Sequence, residues 1–338
     1  MEASFLQAAS RLADEVLFPS ALITDRSDRV PRSHFDRLAE AGLYGLLGPA
    51  EAGGLNADQA AALSVIEVLA GGCLTTTFVW LHHHAAFRAI AASSTPGLRD
   101  HWLEPMCLGQ SRAGVALGGI LPGGAGVSAG PVEGGWRFDG SVPWVTGWGL
   151  VDVIHIAARS ADGDIVWALI DPVETSTLSC QRRQLAAIHA SVTVSVEFHD
   201  HFVPAERVTA IQSYAEWSSP GSHGSHYQAA LAASLALGLV GRCCRLLGPG
   251  PLDQELLSAR SALDRAARSH RDALPAARAA ASHLAVRAAA ALVVAGGSRS
   301  ILLDEHPQRL AREATFLLVF GSRPPIPAEL TRLFVSPK

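Results

Sequence analysis

Gly134-Gly135-Trp136-Arg137-Phe138-Asp139-Gly140-Ser141-Val142-Pro143-Trp144-Val145-Thr146-Gly147 is the stretch on which the reading of this chain turns. Trp136 and Phe138 alternate with polar neighbours, the period of a half-buried strand. Asp139-Gly140 predicts a turn and Trp144-Val145-Thr146 predicts the return strand, so the block reads as a β-hairpin. Upstream, to about Gly109, the apolar spacing is helical. Phe35, Leu38, Ala39 and Leu43 lie on one helical face, Gly42 stands where a C-cap belongs, and residues 60–70 and 75–92 predict two further helices. Around the block, residues 151–157, 164–170 and 191–198 are β-branched runs bounded by Gly, Asp or Pro, and predict strands. From Ser225 the pattern is helical again and dense in alanine. Residues 252–294 predict long helices with their arginines on a solvated face. Residues 218–222 read as a linker. Helices, then strands, then helices predict an α+β fold: an N-terminal helical domain (1–110), a central antiparallel β-domain (111–210) and a C-terminal helical bundle (211–338).

Composition narrows the function. The chain has 338 residues, 49% of them hydrophobic, and a formal net charge of −4. A mild acidic excess offers no electrostatic attraction to nucleic acid or an anionic membrane. Residues 229–241, the longest uncharged apolar run, are too short to span a bilayer. Lys338 is the only lysine, which removes Schiff-base chemistry and a P-loop lysine from the body of the chain. Cys73, Cys107, Cys180, Cys243 and Cys244 are an odd, unclustered set, which predicts a reduced cytoplasmic protein without a zinc framework. The first residues carry no basic stretch before an apolar one, so no signal peptide is expected. Two motifs in the glycine-rich stretch are set aside. Gly124-x-Gly126-x-x-Ala129 matches a dinucleotide-binding pattern and Gly126-x-Ser128-x-Gly130 a hydrolase elbow, but both need a helix to follow, and a strand is predicted there. His82-His83-His84 cannot converge on one metal ion, because adjacent helical residues diverge. His199-Asp200-His201 reads as a solvated turn, and no metal site is assigned.

The deciding block resembles the heart of the β-domain of the acyl-CoA dehydrogenase family, where a G-x-x-x-x-G-x-K-x-W-I-T-G pattern sets a tryptophan and a threonine against the flavin of FAD. The resemblance runs nearly end to end. Val30-Pro31, Phe35, Leu38 to Leu46 and Pro49-x-Glu51-x-Gly53-Gly54 are similar to the family's N-terminal domain. Phe198 to Val208 resembles its V-P-x-x-x-V strand exit, and Gly296-Gly297 followed by Pro307-x-Arg309-x-x-Arg312-Glu313-Ala314 resembles its G-G … P-x-x-R-x-x-R-D-A helix pair. The order and spacing of these pieces carry the resemblance. It implies FAD as cofactor, an acyl-CoA or other acyl thioester as substrate, and a dimer or tetramer built through the bundle, with a like or an unlike subunit. It also implies cofactor contacts at Trp144, Thr146, Leu117, Gly119, Ile120 and Gly126.

Three departures bear on activity. The family's T-E-P-x-x-G-S flavin loop is replaced by Ile120-Leu121-Pro122-Gly123-Gly124-Ala125-Gly126, without the hydroxyls. The R-x-x-F-G segment that reaches the partner's FAD pyrophosphate is missing, with Arg242 and Arg245 as its weak substitutes. The glutamate that removes the substrate α-proton in Y-E-G-T aligns with Gly321, and the alternative glutamate on the first bundle helix aligns with Gln228. An amide cannot take up a proton, so the catalytic residue stays unassigned. His226, whose imidazole type titrates near neutral pH, leads the weak candidates, followed by Glu216 and His223. Three functions remain: an FAD-dependent oxidoreductase of acyl thioesters, a catalytically silent subunit of a hetero-oligomer, and a flavin-dependent oxygenase on the same fold.

Overall fold

A computed structural model describes residues 2–121, 126–219 and 223–335, with the side chains of residues 2–3 and 223–225 excepted. The deciding block is not a hairpin. It forms a single 11-residue strand, β3 (Gly135–Val145). Its antiparallel partner is β2 (Val127–Val132), with Val132 opposite Gly135, so the tight turn is Glu133-Gly134. Asp139-Gly140 lies in mid-strand. There the register against β7 (Val194–Pro204) shifts between Phe138 and Gly140, as in a β-bulge. Gly140 has φ 118°, and a Cβ there would collide with the Gly126 carbonyl. Turn chemistry in the sequence therefore serves a bend within a strand.

Four more strands complete the main ladder: β4 (Val153–Ser160), β5 (Asp164–Ile170), β6 (Leu178–Arg182) and β8 (Val208–Ser213). The eight-stranded sheet runs β6-β7-β3-β2-β4-β5-β8, with β1 (Ala113–Ala116) beside β4. It is antiparallel except where β1 and β2 both run parallel to β4. Val153 to Ile156 pair with β1, and Arg159 and Ser160 pair with β2. The two strands share one edge of β4 in tandem. The chain leaving β1 makes a 3-10 turn at Gly118–Ile120 on its way to β2. Gly126 leads straight into a strand, so the dinucleotide and hydrolase motifs lack the helix they require.

Before the sheet come α1 (Glu2–Leu12), α2 (Phe18–Arg26), α3 (Arg32–Glu40), α4 (Gln59–Gly72), α5 (Leu74–Ala91) and α6 (Leu98–Cys107). The Asp58 carboxylate caps α4 by accepting the Ala61 N–H at 2.8 Å. After the sheet come α7 (Tyr214–Ser218), α8 (His223–Leu247), α9 (Pro251–Arg268), α10 (Leu274–Gly296), α11 (His306–Val319) and α12 (Ile326–Val335). Residues 226–247 and 271–301 are long and apolar enough to cross a membrane, against the expectation from the shorter run. In the fold, 78% of the first window and 44% of the second are buried against protein. Every residue from 229 to 244 on α8 is buried, in contact with α4, α9, α10 and α11. Its small residues are thus consumed inside the chain. One core runs through the N-terminal helices, the sheet and the bundle.

Charged side chains tie these parts together. Asp25 of α2 is 4% exposed and receives both arms of Arg312 from α11, which also donates to the Ala186 carbonyl in the sheet region. Arg309 and Glu313, each 1% exposed, pair at 2.7 Å on α11. Arg278 departs from the expected solvated face. It is fully buried on α10, donates to the carbonyls of Leu317 at 2.6 Å and Phe320 at 2.8 Å, and burial pushes its pKa down to about 10.

Candidate functional site

Helix α5 organises the site. Phe78 meets Phe316 at 5.0 Å and Phe320 at 4.8 Å between ring centres, both edge to face. The next residue, Val79, is 3.4 Å from where a Cβ on Gly147 would lie. One turn of α5 therefore touches both the end of the Trp144–Gly147 segment and the end of α11. Sequence order separates those two by most of the C-terminal half, and only packing brings them to the same turn of α5.

On the sheet side, Trp144 is 56% exposed, and the Arg183 guanidinium stands 5.9 Å from its ring centre. An indole left uncovered at a strand end is a ready wall for a planar ring. Thr146 is 7% exposed, and its Oγ1 is 3.2 Å from Thr193 Oγ1, which in turn bonds Ser191 at 2.8 Å. Gly119 lies in the 3-10 turn against Val127 and Val142. Ile120 is 3% exposed and packs with Ala157, Ile165 and Trp167, with half-buried Leu117 alongside. The Gly126 carbonyl accepts the Ser141 N–H at 2.9 Å, which anchors the return of the loop. Residues 122–125 of the expected flavin loop lie outside the described residues. The residues present fit a flavin ring at Trp144. They fit it less well at Ile120, whose side chain belongs to the core.

The bundle side holds Gly321 and Gln228, the two positions expected from the sequence to correspond to a base. Gly321 follows α11 with φ 61°, and a Cβ built on it would be 3.9 Å from the Ala232 Cβ of α8. Gln228 is one helical turn before Ala232. The two aligned base positions therefore face each other, and both line a cavity of about 110 Å³ with His226 and Arg323. Arg278 holds the Phe320 carbonyl beside Gly321. Sequence reading missed Arg278 and Arg323; the only signal for Arg278 was an arginine amid alanines on a long helix. Among the described residues no carboxylate lines this cavity.

The weak base candidates are spread out. His226 lines the cavity, its Nδ1 buried without a hydrogen-bond partner. Glu216 is an exposed residue near the start of the short helix α7, where its N–H meets Ser213 Oγ at 3.5 Å, and it does not line the cavity. His223 opens α8, and its side chain lies outside the described residues. The substitute clamps are engaged elsewhere. Arg242 donates to the Gly71 carbonyl at 2.5 Å, pairs with Asp14 and stacks 3.9 Å from the Phe18 ring centre, so it holds α8 to the N-terminal helices. Arg245 is 3.8 Å from the same carboxylate. The three neighbouring histidines of α5 diverge as adjacent helical residues must. His82 bonds the Phe78 carbonyl at 2.6 Å, His83 accepts the Ala113 N–H at 3.2 Å, and His84 packs on Trp80.

Helices, a mainly antiparallel sheet and a helical bundle make up a three-part fold. Residues 2–110 match the family described as "Acyl-CoA dehydrogenase, N-terminal domain". Benzylmalonyl-CoA dehydrogenase of Aromatoleum aromaticum is 26% identical over 208 residues, covering 58% of this chain and 53% of the relative. The chain thus spans about half the length of the curated relatives it matches. In structure, butyryl-CoA dehydrogenase from Megasphaera elsdenii superimposes with a TM-score of 0.81 at 17% identity, over 98% of this chain and 96% of that one. A glutaryl-CoA dehydrogenase from Mycobacterium smegmatis, in complex with FADH2, does so with a TM-score of 0.80 at 15% identity, over 99% and 95%. Residues 2–110 thus match that family's N-terminal domain, and the chain as a whole has the acyl-CoA dehydrogenase fold.

Proposed function

We propose that this chain is a subunit of acyl-CoA dehydrogenase type that does not dehydrogenate acyl thioesters by itself, and that works in an oligomer with a subunit of the same family. The observation that carries this reading is the cavity at Gly321 and Gln228. Both places from which a carboxylate would reach a substrate α-carbon converge there, and the polar groups present are an imidazole, an amide and a guanidinium. FAD, when bound, would accept the hydride from the β-carbon. Trp144 would wall its ring, and the backbone around Gly119 and Gly126 would border it. Among the described residues, His226 alone lines the cavity as a candidate to take the α-proton, and a missing general base forgoes about 10²–10⁴-fold in rate. The engagement of Arg242 with Asp14 supports the same reading, since it leaves the pyrophosphate of FAD to a cation from elsewhere.

The test is an absorbance spectrum of the purified chain through the near ultraviolet and blue, followed by turnover of a series of acyl-CoA esters with an artificial electron acceptor. The expected outcome is weak or substoichiometric flavin and no turnover. Robust turnover by the isolated chain overturns the proposal.

A further inference from the structure

The loss of a base leaves the cavity beside Gly321 with a chemistry of its own. Its polar lining consists of the guanidinium of Arg323, the carboxamide of Gln228 and the imidazole of His226, whose Nδ1 is buried without a partner. Leu274 and Ile326 supply apolar wall. Arg278 is held by backbone carbonyls, while five buried or half-buried arginines elsewhere in the chain reach a carboxylate: Arg112 with Asp36, Arg242 with Asp14, Arg260 with Glu67, Arg309 with Glu313 and Arg312 with Asp25. Arg323 is half-buried and has none among the described residues. Its neighbour is the Trp217 ring, 5.3 Å from the guanidinium carbon. Next along α7, Tyr214 carries a second guanidinium, that of Arg159, at 3.5 Å, with its Nε buried and unpartnered. Burial lowers the Arg323 pKa, as expected for a cation without a nearby acid. A half-buried cation lacking a partner is costly unless an anion completes it.

We propose that this cavity binds a carboxylate, gripped by the fork of Arg323 and by the amide of Gln228. A guanidinium matches a planar carboxylate through two parallel hydrogen bonds. The cavity, about 110 Å³, is somewhat smaller than the ~150 Å³ cavity that takes a benzene ring. It admits a carboxyl group with a carbon or two and not a thioester as well. The carboxylate is therefore either a free short-chain acid or the far end of an acyl group whose thioester lies outside the cavity. The inference stands apart from the non-catalytic reading: a chain that turned over acyl-CoA and still bound carboxylate would lose that reading and keep this one.

The experiment is a thermal melt of the full chain in increasing acetate, against chloride at equal ionic strength. A ligand that binds only the folded state raises the melting temperature with the logarithm of its concentration. The rise is expected in wild type and absent in Arg323→Gln, with acetate affinity at least ~10-fold weaker in Gln228→Leu. Arg323→Lys, which keeps the charge and loses the fork, is expected to fall between wild type and Arg323→Gln. Calorimetric titration with succinyl-CoA and butyryl-CoA then separates the sources. Tighter binding of succinyl-CoA that disappears in Arg323→Gln assigns the acyl end, and equal binding of the two alongside the acetate response assigns the free acid. No acetate response in wild type, or the same response in Arg323→Gln, overturns the proposal.

Discussion

Gly321 and Gln228 are not equivalent places to restore a carboxylate. Gly321 sits at φ 61°, where a side chain costs roughly 1–2 kcal/mol. Gln228 lies in ordinary helix, and glutamate there has the same shape. Yet a carboxylate at 228 shares the cavity with Arg323, and a cation at that range holds a carboxyl below its usual range, which makes it a poor base. Gln228→Glu is therefore expected to fold with near-wild-type stability at neutral pH, to abolish the acetate response and to leave acyl-CoA turnover low. Melting temperatures and initial rates on one preparation check this. Buried histidines set the acid behaviour. Burial pushes His84 down to about 3 and His155 to about 4, whereas in the unfolded chain both titrate near 6.5. The unfolded state takes up protons first, so this contribution is complete above pH 6.5 and is lost as pH falls toward the folded values. Between pH 8 and 5 each costs about 2 kcal/mol. Both ring nitrogens of His84 lack partners, so His84→Leu is expected to flatten the fall in denaturation midpoint with acid; an unchanged slope contradicts it.

Among the elements, β3 departs most from its sequence signal. Asp139-Gly140 has the composition of a hairpin turn, but the strand continues through it because both edges of β3 are already paired, with β2 and β7. Gly140→Ala places a Cβ against the Gly126 carbonyl. It is expected to cost about 1–3 kcal/mol, read from the urea midpoint, and to loosen the stretch after Gly126 in hydrogen exchange. At the junction of α2, α11 and the sheet region, Arg312→Ala leaves Asp25 a buried carboxylate without its partner. The expected loss lies near the lower end of ~3–5 kcal/mol, because Arg312 itself is partly solvated. Arg312→Lys should recover only part, since one ammonium cannot reach both carboxylate oxygens and the Ala186 carbonyl as the fork does. Full recovery by lysine would contradict that account.

At the scale of the whole molecule, the surface that remains apolar is not the one the alanine-rich helices announce. The middle of α8 is enclosed. Val294 is 80% exposed at the end of α10, and Ile301, Leu302 and Leu303 beyond it are 77%, 47% and 63% exposed. A run of large apolar side chains in water marks a surface made for contact. We propose it as the seat of subunit assembly. Light scattering at micromolar concentration is expected to give more than one chain per particle, and Ile301→Glu with Leu303→Glu to give monomers of unchanged circular dichroism. A monomeric wild type contradicts the proposal.

The amino-acid sequence by itself determined the order of helices, strands and helices, since that order rests on local periodicity and on the glycines and prolines that end each element. Strand β5 occupies residues 164–170 as its β-branched run indicates, and α4 and α5 fall where the apolar spacing puts them. It also determined that a glycine stands at 321 and an amide at 228, which are as plain in one dimension as in three. Tertiary structure decided the rest. It placed Gly321 against Ala232, so that Gly321 and Gln228, 93 residues apart, line one cavity. It turned Arg278 inward onto the carbonyls of Leu317 and Phe320, gave Arg242 to Asp14, and left Arg323 without an acid among the described residues. An arginine looks the same in sequence whether water, a carbonyl or a carboxylate receives its charge. Only the packing of distant elements settles which of them it meets.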